Sequence, residues 1–459
     1  MNIWKPRSLS LLGKITIIKS LAISKLLYVV SNIFTPHSVI RSVNSVLYNY
    51  LWNGNDKIKR RVICAGYENG GLKMVSFEAK ITAQAIMWVK RLLDGEPCEW
   101  KIIARKYFSS FGGPELLFNC NFSSHLMNLG KMSNFYKEII KSWEEISFDR
   151  QCEQHEEIIW NNQKVLSNGK QIFFRDLYSN GIVFVHHLFD NKRQIFDWET
   201  ARVKYNLPAR AWLQYFGVVS MIPLTWKQFV KPVNPVKTHI SVSTIGIEYK
   251  SKRWPIYSLQ SRIVYWAIVD KRTVESGSIQ RIKETYGWDS ENIAELFLSP
   301  YKATLDCGLR SFHYKLLHHI VYLNDFLFNK LAIGDSPYCS FCKVAKETIQ
   351  HFFVHCSHTK DFWLSVNRVL KLKALEDPAE EEVIYGFLKE KAGSLENLIL
   401  LSAKHYLFKC RLRDTFPNAF EYLSYLKTIF SMESEIATKR NKLKAHVQKW
   451  GPIYQIVIA

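Results

Sequence analysis

Four possible metal ligands lie close together in the last third of the chain, at Cys339, Cys342, His351 and Cys356. Their spacing is C-x2-C-x8-H-x4-C, so all four fall within eighteen residues. Zinc prefers thiolate sulfur and imidazole nitrogen at tetrahedral corners, and a C-x2-C turn presents two thiolates from one knuckle. Because the protein fills all four positions, we predict a structural Zn²⁺ site that stabilises the fold and does no catalysis.

Two alternatives to this ligand set stay open. His355 follows His351 at a spacing that also suits zinc, so it is a rival fourth ligand. The other alternative is a cluster of small buried thiols beside a surface histidine. The short spacer before His351 favours a compact knuckle over a ββα-type finger, which needs a longer one.

Length and composition indicate a large globular protein. The chain has 459 residues, of which 47% are hydrophobic and 14% aromatic, enough for roughly two to four domains. Nine cysteines, scattered outside the zinc cluster, fit a reducing compartment better than a disulfide framework. No apolar window reaches the length of about eighteen residues that spans a bilayer, and no signal peptide is recognisable. We expect an intracellular protein, nuclear or cytoplasmic, with no membrane partner and no small-molecule substrate.

The distribution of charge points to a polyanionic partner. The formal net charge is +21, and the first 93 residues carry fourteen Lys and Arg against three acidic residues. Chains this basic are typical of proteins that bind a polyanion, either nucleic acid or an anionic membrane, although a solvated basic surface is the alternative. We predict RNA, an RNA–DNA hybrid or DNA as the partner; the sequence carries no indication of the oligomeric state. The candidate phosphate contacts are Arg7, Lys14, Lys25, Lys57, Lys59, Arg60, Arg61, Lys404 and Arg411.

Apolar periodicity predicts a mainly α, multi-domain fold. Residues 1–93 form a basic helical bundle in which Arg7, Lys14 and Lys25 share one helix face. Residues 94–255 form a mixed α/β connecting region that ends in a linker from Pro232 to Pro255, and residues 256–459 form a helical domain with the knuckle at 339–356. In that domain, an apolar stripe from Leu309 to Leu327 predicts one helix that leads into the knuckle. A further helix at about 395–412 places Lys404 and Arg411 on one face.

Residues around 165–174 carry a hairpin signal. Apolar pairs flank Ser167-Asn168-Gly169-Lys170, and Asn-Gly favours a tight turn between two strands. We therefore predict a short antiparallel hairpin in the connecting region.

Motifs for catalysis are missing from the sequence. We find no paired carboxylates in an apolar strand, no phosphate-binding loop and no nucleophile elbow. We therefore expect binding without catalysis. A nuclease whose carboxylates come together only on folding is the least favoured hypothesis, with Asp289, Glu291 and Glu380 as its candidates.

Several of these residues also carry a family resemblance that extends over essentially the whole chain. The opening, the turns that follow it and the zinc region resemble LINE-type non-LTR retrotransposon reverse transcriptases. The matching positions are Trp4, Arg7, Leu9-Ser10-Leu11, Gly13-Lys14, Ile18-Lys19-Ser20, Ser24-Lys25, Leu51-Trp52-Asn53-Gly54, Gly70-Gly71-Leu72, Trp88, Arg91-Leu92, Phe312, Tyr314-Lys315, His318, Cys339, Cys342, Glu347-Thr348, His351-Phe352, Cys356, Trp363, Ala403-Lys404 and Lys449-Trp450.

The resemblance implies a thumb, a connecting region and a C-terminal zinc domain. The polymerase palm with its catalytic aspartates, and an endonuclease, would lie upstream of Met1, so we expect a truncated, non-catalytic piece. By position, Lys19 joins Arg7, Lys14 and Lys25 as thumb contacts to phosphate, and the C-terminal part would bind RNA during target-primed reverse transcription. Unpaired bases could stack on Tyr338 and Phe341. The alternative is a helical zinc scaffold for protein interaction, or a non-functional relic.

Overall fold

The computed structural model describes residues 2–4, 6–146, 156–190, 192–228, 240, 242–388 and 391–458, and these are mainly helical. The strands in this part of the chain form two antiparallel pairs. One pair is β1 (Leu166–Ser167) with β2 (Lys170–Gln171), and the other is β3 (Gly246–Tyr249) with β4 (Lys252–Pro255). The prediction of a mainly α, multi-part fold is confirmed.

Helices account for most of the chain, joined by short 3₁₀ turns. In the first half they are α1 (Leu11–Ile17), α2 (Ser24–Val30), α3 (His37–Trp52), α4 (Arg60–Cys64), α5 (Phe77–Leu93), α6 (Glu99–Phe108), α7 (Pro114–Leu117), α8 (Asn134–Ile146), α9 (Arg175–Ser179), α10 (Trp198–Tyr205), α11 (Trp212–Met221) and α12 (Leu224–Gln228). In the second half they are α13 (Ser261–Arg272), α14 (Gly277–Tyr286), α15 (Ser290–Ala303), α16 (Cys307–Leu317), α17 (Asn324–Leu331), α18 (Ser357–Leu370), α19 (Glu380–Tyr385), α20 (Ser394–Arg413), α21 (Ala419–Lys439), α22 (Leu443–Trp450) and α23 (Tyr454–Ile458). Within the residues described, no helix combines the length and apolar character needed to cross a bilayer.

The chain divides into two compact units. The first comprises Met1–Ser24, Ser42–Val75 and Thr273–Ala459, and the second comprises Lys25–Arg41 and Ser76–Arg272. The first unit is therefore built from three separate stretches of sequence. The predicted segment 1–93 contributes to both units, so this grouping does not follow the three consecutive segments, whose independent folding stays a prediction.

The first helix begins at a capping serine, but its helical geometry changes part-way along. The Ser10 hydroxyl caps α1 by accepting the Gly13 N–H at 3.2 Å. From Ile18 to Ile23 the backbone is π-helical, with more residues per turn than an α-helix, so the following residues are rotated about the axis. The prediction that Arg7, Lys14 and Lys25 share one helix face is therefore wrong. Arg7 precedes the helix, and the π segment separates the other two.

The long helix α5 organises the second unit. It begins at Phe77, where the Ser76 hydroxyl accepts the Ala79 N–H at 3.2 Å, and ends at Leu93, as its apolar periodicity predicts. Its buried face packs against α8 and α13. Trp143 of α8, which is 1% exposed, lies in the core of this unit.

Of the two predictions for turn-rich stretches of the connecting region, the hairpin is confirmed and the linker is wrong in part. At the β1–β2 turn, Asn168 and Gly169 both have positive φ, +48° and +72°, as a type I′ turn requires, so the predicted hairpin is confirmed. The prolines at 232–235 of the predicted linker lie outside the described residues. The linker prediction is wrong for 246–255, because β3 and β4 pair there and bury Ile247 completely.

The predicted apolar stripe from Leu309 to Leu327 is two helices, not one. The Asp306 carboxylate caps α16, which buries Leu309, Phe312 and Leu316. The chain leaves the helix at His319, whose φ of +55° lies in the left-handed region. α17 then runs separately and contains no buried side chain. Periodicity missed the break because the apolar spacing happens to continue through the turn.

Candidate metal centre and nucleic-acid interface

The predicted zinc ligands converge on one point. One ligand atom from each of Cys339, Cys342, His351 and Cys356 lies within 4.8 Å of the other three. The Cys339 and Cys356 sulfurs are 3.9 Å apart, and the Cys342 sulfur is 3.3 Å from His351 Nε2. Zn–S bonds of about 2.3 Å at tetrahedral angles place two sulfurs about 3.8 Å apart, so the observed spacing suits zinc.

The cysteine pair sits on a tight backbone turn. The Cys339 N–H donates to Ala345 O at 2.8 Å, and the Lys343 N–H donates back to Cys339 O at 2.9 Å. Lys343 completes the turn with a φ of +59°. This knuckle presents both thiols on one side, as the C-x2-C spacing predicts.

The other two ligands flank the start of α18. His351 opens a π-helical turn, His351–His355, and the Cys356 N–H donates to His351 O at 2.7 Å. Cys356 is the residue that caps α18, so its sulfur faces the positive end of that helix. Phe352 and Phe353, both fully buried, anchor the turn between the two ligands.

Burial and charge favour a cation at this point. Cys339 and Cys356 are fully buried. A hydrogen bond from Cys339, aided by the backbone N–H groups of Thr359 and His358, lowers the pKa of Cys356 to about 5, and the same contact raises the pKa of Cys339. A second thiolate so close to the first would be repelled unless a metal neutralised it. The donor set therefore fits zinc, which would tie the knuckle to α18 through four protein bonds.

The rival ligand His355 points elsewhere. Its Nε2 lies 2.8 Å from a carboxylate oxygen of Glu380, and its side chain is 50% exposed. The converging group contains Cys356 instead. The structure therefore favours the C-x2-C-x8-H-x4-C set over the alternative with His355.

A comparison with known families agrees with this geometry. Residues 291–363 match the family described as zinc-binding in reverse transcriptase, which covers α15, α16, α17, the knuckle and the start of α18. The chain carries a reverse transcriptase zinc-binding region. The predicted zinc cofactor is thereby confirmed.

A transposon protein supports the wider resemblance. The chain is 23% identical, over 164 residues, to the transposon TX1 uncharacterized 149 kDa protein of Xenopus laevis. The alignment covers 34% of this chain and 12% of that protein, so the chain spans a small part of the length of its curated relative. Together the two matches support the resemblance to retrotransposon reverse transcriptases.

A buried ion pair connects the zinc-binding region to α20. Glu347 is fully buried, and its carboxylate accepts the N–H groups of Ser340 at 2.6 Å and Asn324 at 3.0 Å. Arg411 of α20 donates to the same carboxylate at 2.7 Å and to Asn324 Oδ1 at 2.6 Å. This network links the knuckle, α17 and α20. Sequence analysis missed its role, although Glu347 was part of the resemblance.

Two predicted phosphate contacts are therefore wrong. The Arg411 side chain is only 9% exposed and is already paired with Glu347. Lys404 is fully buried, and its ammonium donates to Ile384 O at 2.5 Å. Neither cation can reach a phosphate without unfolding its surroundings. The shared helix face of Lys404 and Arg411 turns inward because α20 is packed on most sides.

Burial of Lys404 predicts a distinct pH dependence. Desolvation lowers the pKa of Lys404 from 10.5 to about 7. Between these values the unfolded chain binds a proton that the folded chain lacks, so stability should rise with pH, by up to about 1.4 kcal/mol per unit. Below about pH 7 Lys404 is protonated in both the folded and the unfolded state, so the folded state bears the whole cost of burying the ammonium charge. We expect the Lys404→Met variant to lose this rise, measured by urea unfolding at about pH 7, 8.5 and 10.

An exposed lysine provides the matched control for this experiment. Lys439 lies at the end of α21, where it pairs with Glu435 at 2.7 Å, and its side chain is 72% exposed. Lys439→Met should leave the slope of stability against pH unchanged. An identical slope in wild type and Lys404→Met would contradict the assignment.

The remaining basic candidates lie on or near the surface. In the first unit, seven of the ten candidates hold their charge at exposed or half-buried positions: Arg7, Lys14, Lys19, Lys57, Lys59, Arg60 and Arg61. Lys25 is exposed in the second unit. Arg60 is paired with Asp56 at 2.7 Å, whereas Lys59 and Arg61 have no side-chain partner among the residues described. Lys14 is half-buried and donates to Asn53 Oδ1 at 2.8 Å.

The two aromatic candidates near the knuckle differ in their exposure to solvent. Phe341 is 5% exposed and stacks on Phe352 with ring centroids 5.1 Å apart, so its role as a platform for bases is wrong. It belongs to the core that holds the zinc ligands. Tyr338 is 49% exposed beside Cys339 and stays a candidate.

The carboxylates proposed for a nuclease do not assemble. Asp289 caps α15 by accepting the Asn292 N–H at 2.8 Å, and Glu380 begins α19, where it contacts His355. In the described ranges, the cysteine–histidine cluster is the one group of three or more potential ligands suited to a metal ion. The structure therefore offers no support for a two-metal site at Asp289, Glu291 and Glu380.

Proposed function

We propose that this chain binds RNA or an RNA–DNA hybrid and supports target-primed reverse transcription in a LINE-type element. The observation that carries the proposal is that the matched zinc-binding region and the basic run Lys57–Arg61 belong to one compact unit. In this proposal zinc organises the fold, and exposed cations supply the contacts to phosphate. It assigns binding, not polymerase chemistry, to these residues.

Electrostatics supports the basic run as a contact surface. Lys59 and Arg61 are exposed and have no partner in the described part of the chain. The Arg60–Asp56 pair is also exposed, and such pairs contribute at most about 1 kcal/mol, so a phosphate can compete for the guanidinium. Each phosphate neutralised releases counterions, which makes affinity depend steeply on salt.

Tyr338 offers a contact of a different kind. Its ring is half exposed on the knuckle, and its backbone carbonyl accepts a hydrogen bond from Asn324 Nδ2 at 2.8 Å, which holds the knuckle strand in place. Exposed rings on a rigid turn are suited to stacking with unpaired bases. We propose this role for Tyr338 alone.

A docking surface for another protein is the second candidate function. Several apolar side chains near the knuckle are exposed, including Phe328, Ile333 and Val344, which is 78% exposed. Apolar groups gathered on one part of a surface often mark protein interfaces. This observation favours the scaffold hypothesis without excluding a nucleic-acid partner.

Salt-dependent RNA binding tests the proposal. We expect the zinc-loaded chain to bind a labelled RNA hairpin, and its affinity to fall at least tenfold between about 50 and about 200 mM salt, because several phosphate contacts are lost. Fluorescence anisotropy measures both affinities. The double variant Lys59→Gln/Arg61→Gln should lower the salt slope by about two, roughly one for each contact.

The controls distinguish the loss of charge at Lys59 and Arg61 from the loss of the same charge elsewhere on the protein. Lys106 and Lys131 are exposed lysines of the second unit, so Lys106→Gln/Lys131→Gln removes the same charge from another surface. Tyr338→Ala should weaken binding to an unpaired loop more than binding to a duplex. Weak binding that does not respond to salt in any of these proteins would overturn the proposal and favour the scaffold function.

A further inference from the structure

A groove of about 710 Å³ opens in the first compact unit. Its walls come from the residues at the start of α1, the end of α3, the helix α16 with the loop after it, and α20. These segments are far apart in sequence. The volume falls within the range of about 300–1,000 Å³ typical of ligand sites in proteins.

Four lysines line this groove and no acidic residue does, among the described residues that form its walls. They are Lys14, Lys57, Lys315 and Lys409. Asp306 acts electrostatically on Lys409, but its carboxylate is engaged in capping α16 through Gly308 and Leu309. The groove therefore holds a concentration of positive charge without a lining counterion.

The surroundings of each ammonium group differ. Lys57 lies over the Tyr322 ring at 5.0 Å, Lys409 lies over Tyr425 at 4.6 Å, and Lys14 bonds to the Leu51 carbonyl at 3.2 Å. The Lys315 ammonium makes no hydrogen bond or ion pair in the part of the chain that the structure describes. Of the four, it is the cation whose charge is least compensated.

Mutual repulsion indicates that three of the four cations, Lys14, Lys57 and Lys315, are close. Burial lowers the pKa of Lys14, and the charges of Lys315 and Lys57 lower it further. Burial likewise lowers the pKa of Lys315, and Lys57 adds to the effect. An anion placed among the three would relieve this repulsion.

Two buried polar atoms in the walls also lack partners. The Ser311 hydroxyl and the Trp52 indole N–H make no hydrogen bond within the described residues, although the residues are only 4% and 6% exposed. Buried donors are nearly always satisfied by protein, water or ligand. They are an observation independent of the lysines, and either water or a polar ligand would satisfy them.

The rest of the lining is apolar and aromatic. The half-buried Phe408 packs against the buried Phe312 with ring centroids 5.6 Å apart, and Leu412, also in the lining, is 65% exposed. Bases of nucleic acids stack on such surfaces because each base has an apolar π-face. Cations and an aromatic ring in the lining of one groove match the two chemical parts of a nucleotide.

We propose that this groove binds one nucleotide, with the phosphate among Lys14, Lys57 and Lys315 and the base against the half-buried ring of Phe408. The proposal rests on the proposed nucleic-acid function and adds a site that captures a single unpaired nucleotide. The nucleotide can belong to an RNA strand or be a free mononucleotide, since both present the same chemistry.

Two substitutions test the groove in the full-length, zinc-loaded chain. Lys315→Gln removes the uncompensated charge, and Leu412→Glu adds a negative charge at an exposed position, so neither should impair folding. Lys106→Gln is the matched control for loss of one charge. The probes are a labelled single-stranded RNA, a blunt RNA duplex and adenosine 5′-monophosphate, with RNA affinities measured by anisotropy and the mononucleotide measured by calorimetry.

We expect Lys315→Gln to weaken binding of single-stranded RNA about tenfold and to lower its salt slope by about one, with little change for the duplex. Leu412→Glu should weaken it similarly, and Lys106→Gln should not. Saturable binding of the mononucleotide that Lys315→Gln abolishes would identify a pocket that also takes free nucleotides. RNA binding that depends on Lys315 without mononucleotide binding would assign the site to nucleotides within a strand.

Other outcomes distinguish the two proposals. If both groove variants bind RNA like wild type while the affinity stays salt-dependent, the groove proposal fails and the proposed function stands. If wild type binds the mononucleotide through Lys315 but not RNA, the proposed function fails and the nucleotide site stands. Absence of binding to all three probes overturns both.

Discussion

Replacement of Cys356 by serine is expected to release zinc and to destabilise the first unit. Cys356 also occupies the N-cap position of α18, and serine is a good capping residue, so the variant removes the metal ligand without weakening the start of that helix. Structural zinc contributes about 10–16 kcal/mol in isolated zinc fingers, so we expect a loss of at least about 3 kcal/mol here. Metal content by mass spectrometry and thermal unfolding by calorimetry measure the two effects.

His355→Ala is the control for this variant. His355 is half exposed and contacts Glu380, an interaction that contributes at most about 1 kcal/mol. The His355→Ala variant should therefore keep its zinc and almost all of its stability. Zinc lost from His355→Ala but retained by Cys356→Ser would mean that the histidine is the fourth ligand.

The second large effect is expected at the buried ion pair. Arg411→Met leaves the Glu347 carboxylate fully buried without its cation, which typically costs about 3–5 kcal/mol. The N–H groups of Ser340 and Asn324 still donate to that carboxylate and place the cost toward the lower end of this range. Urea unfolding of wild type and variant gives the difference in the free energy of unfolding.

A double-mutant cycle decides whether the pair acts as a unit. Glu347→Gln with Arg411→Met removes both charges, so it should be less destabilised than the sum of the single variants. Additive effects would mean that the two side chains do not interact. Since Arg411 is unavailable to phosphate, any folded Arg411 variant should keep the salt slope of RNA binding unchanged.

The zinc centre could be predicted from sequence because its information is local. All four ligands come from one short stretch, and their spacing alone specifies a knuckle and a return. The same is true of the β1–β2 turn, where Asn168 and Gly169 adopt positive φ, and of α5, whose capping serine and apolar spacing mark both ends. In these places neighbours in sequence determine the structure.

The errors arise where distant residues decide the environment. From sequence alone, a lysine such as Lys404 is expected at the surface. Its burial depends on the carbonyl of Ile384, an acceptor on another segment. Arg411 depends on Glu347, sixty-four positions earlier. The groove lysines come from four separate stretches, so no window of sequence could bring them together. The π segment changed the helix face of Lys25 without any composition that marks it.

The division of the first unit into three stretches has a consequence for synthesis on the ribosome. α1 packs against α16, which is made almost three hundred residues later. Likewise the Gly70 carbonyl gains its contact with the His318 imidazole, at 2.8 Å, only after His318 has been made. The second unit is complete once Arg272 has been made. α1 must therefore remain without its final partners while almost three hundred further residues are made, and the zinc-binding region closes a unit whose first stretch is made long before it. A fragment that starts after Arg272 would contain every zinc ligand and still lack two of the three stretches on which its host unit is built.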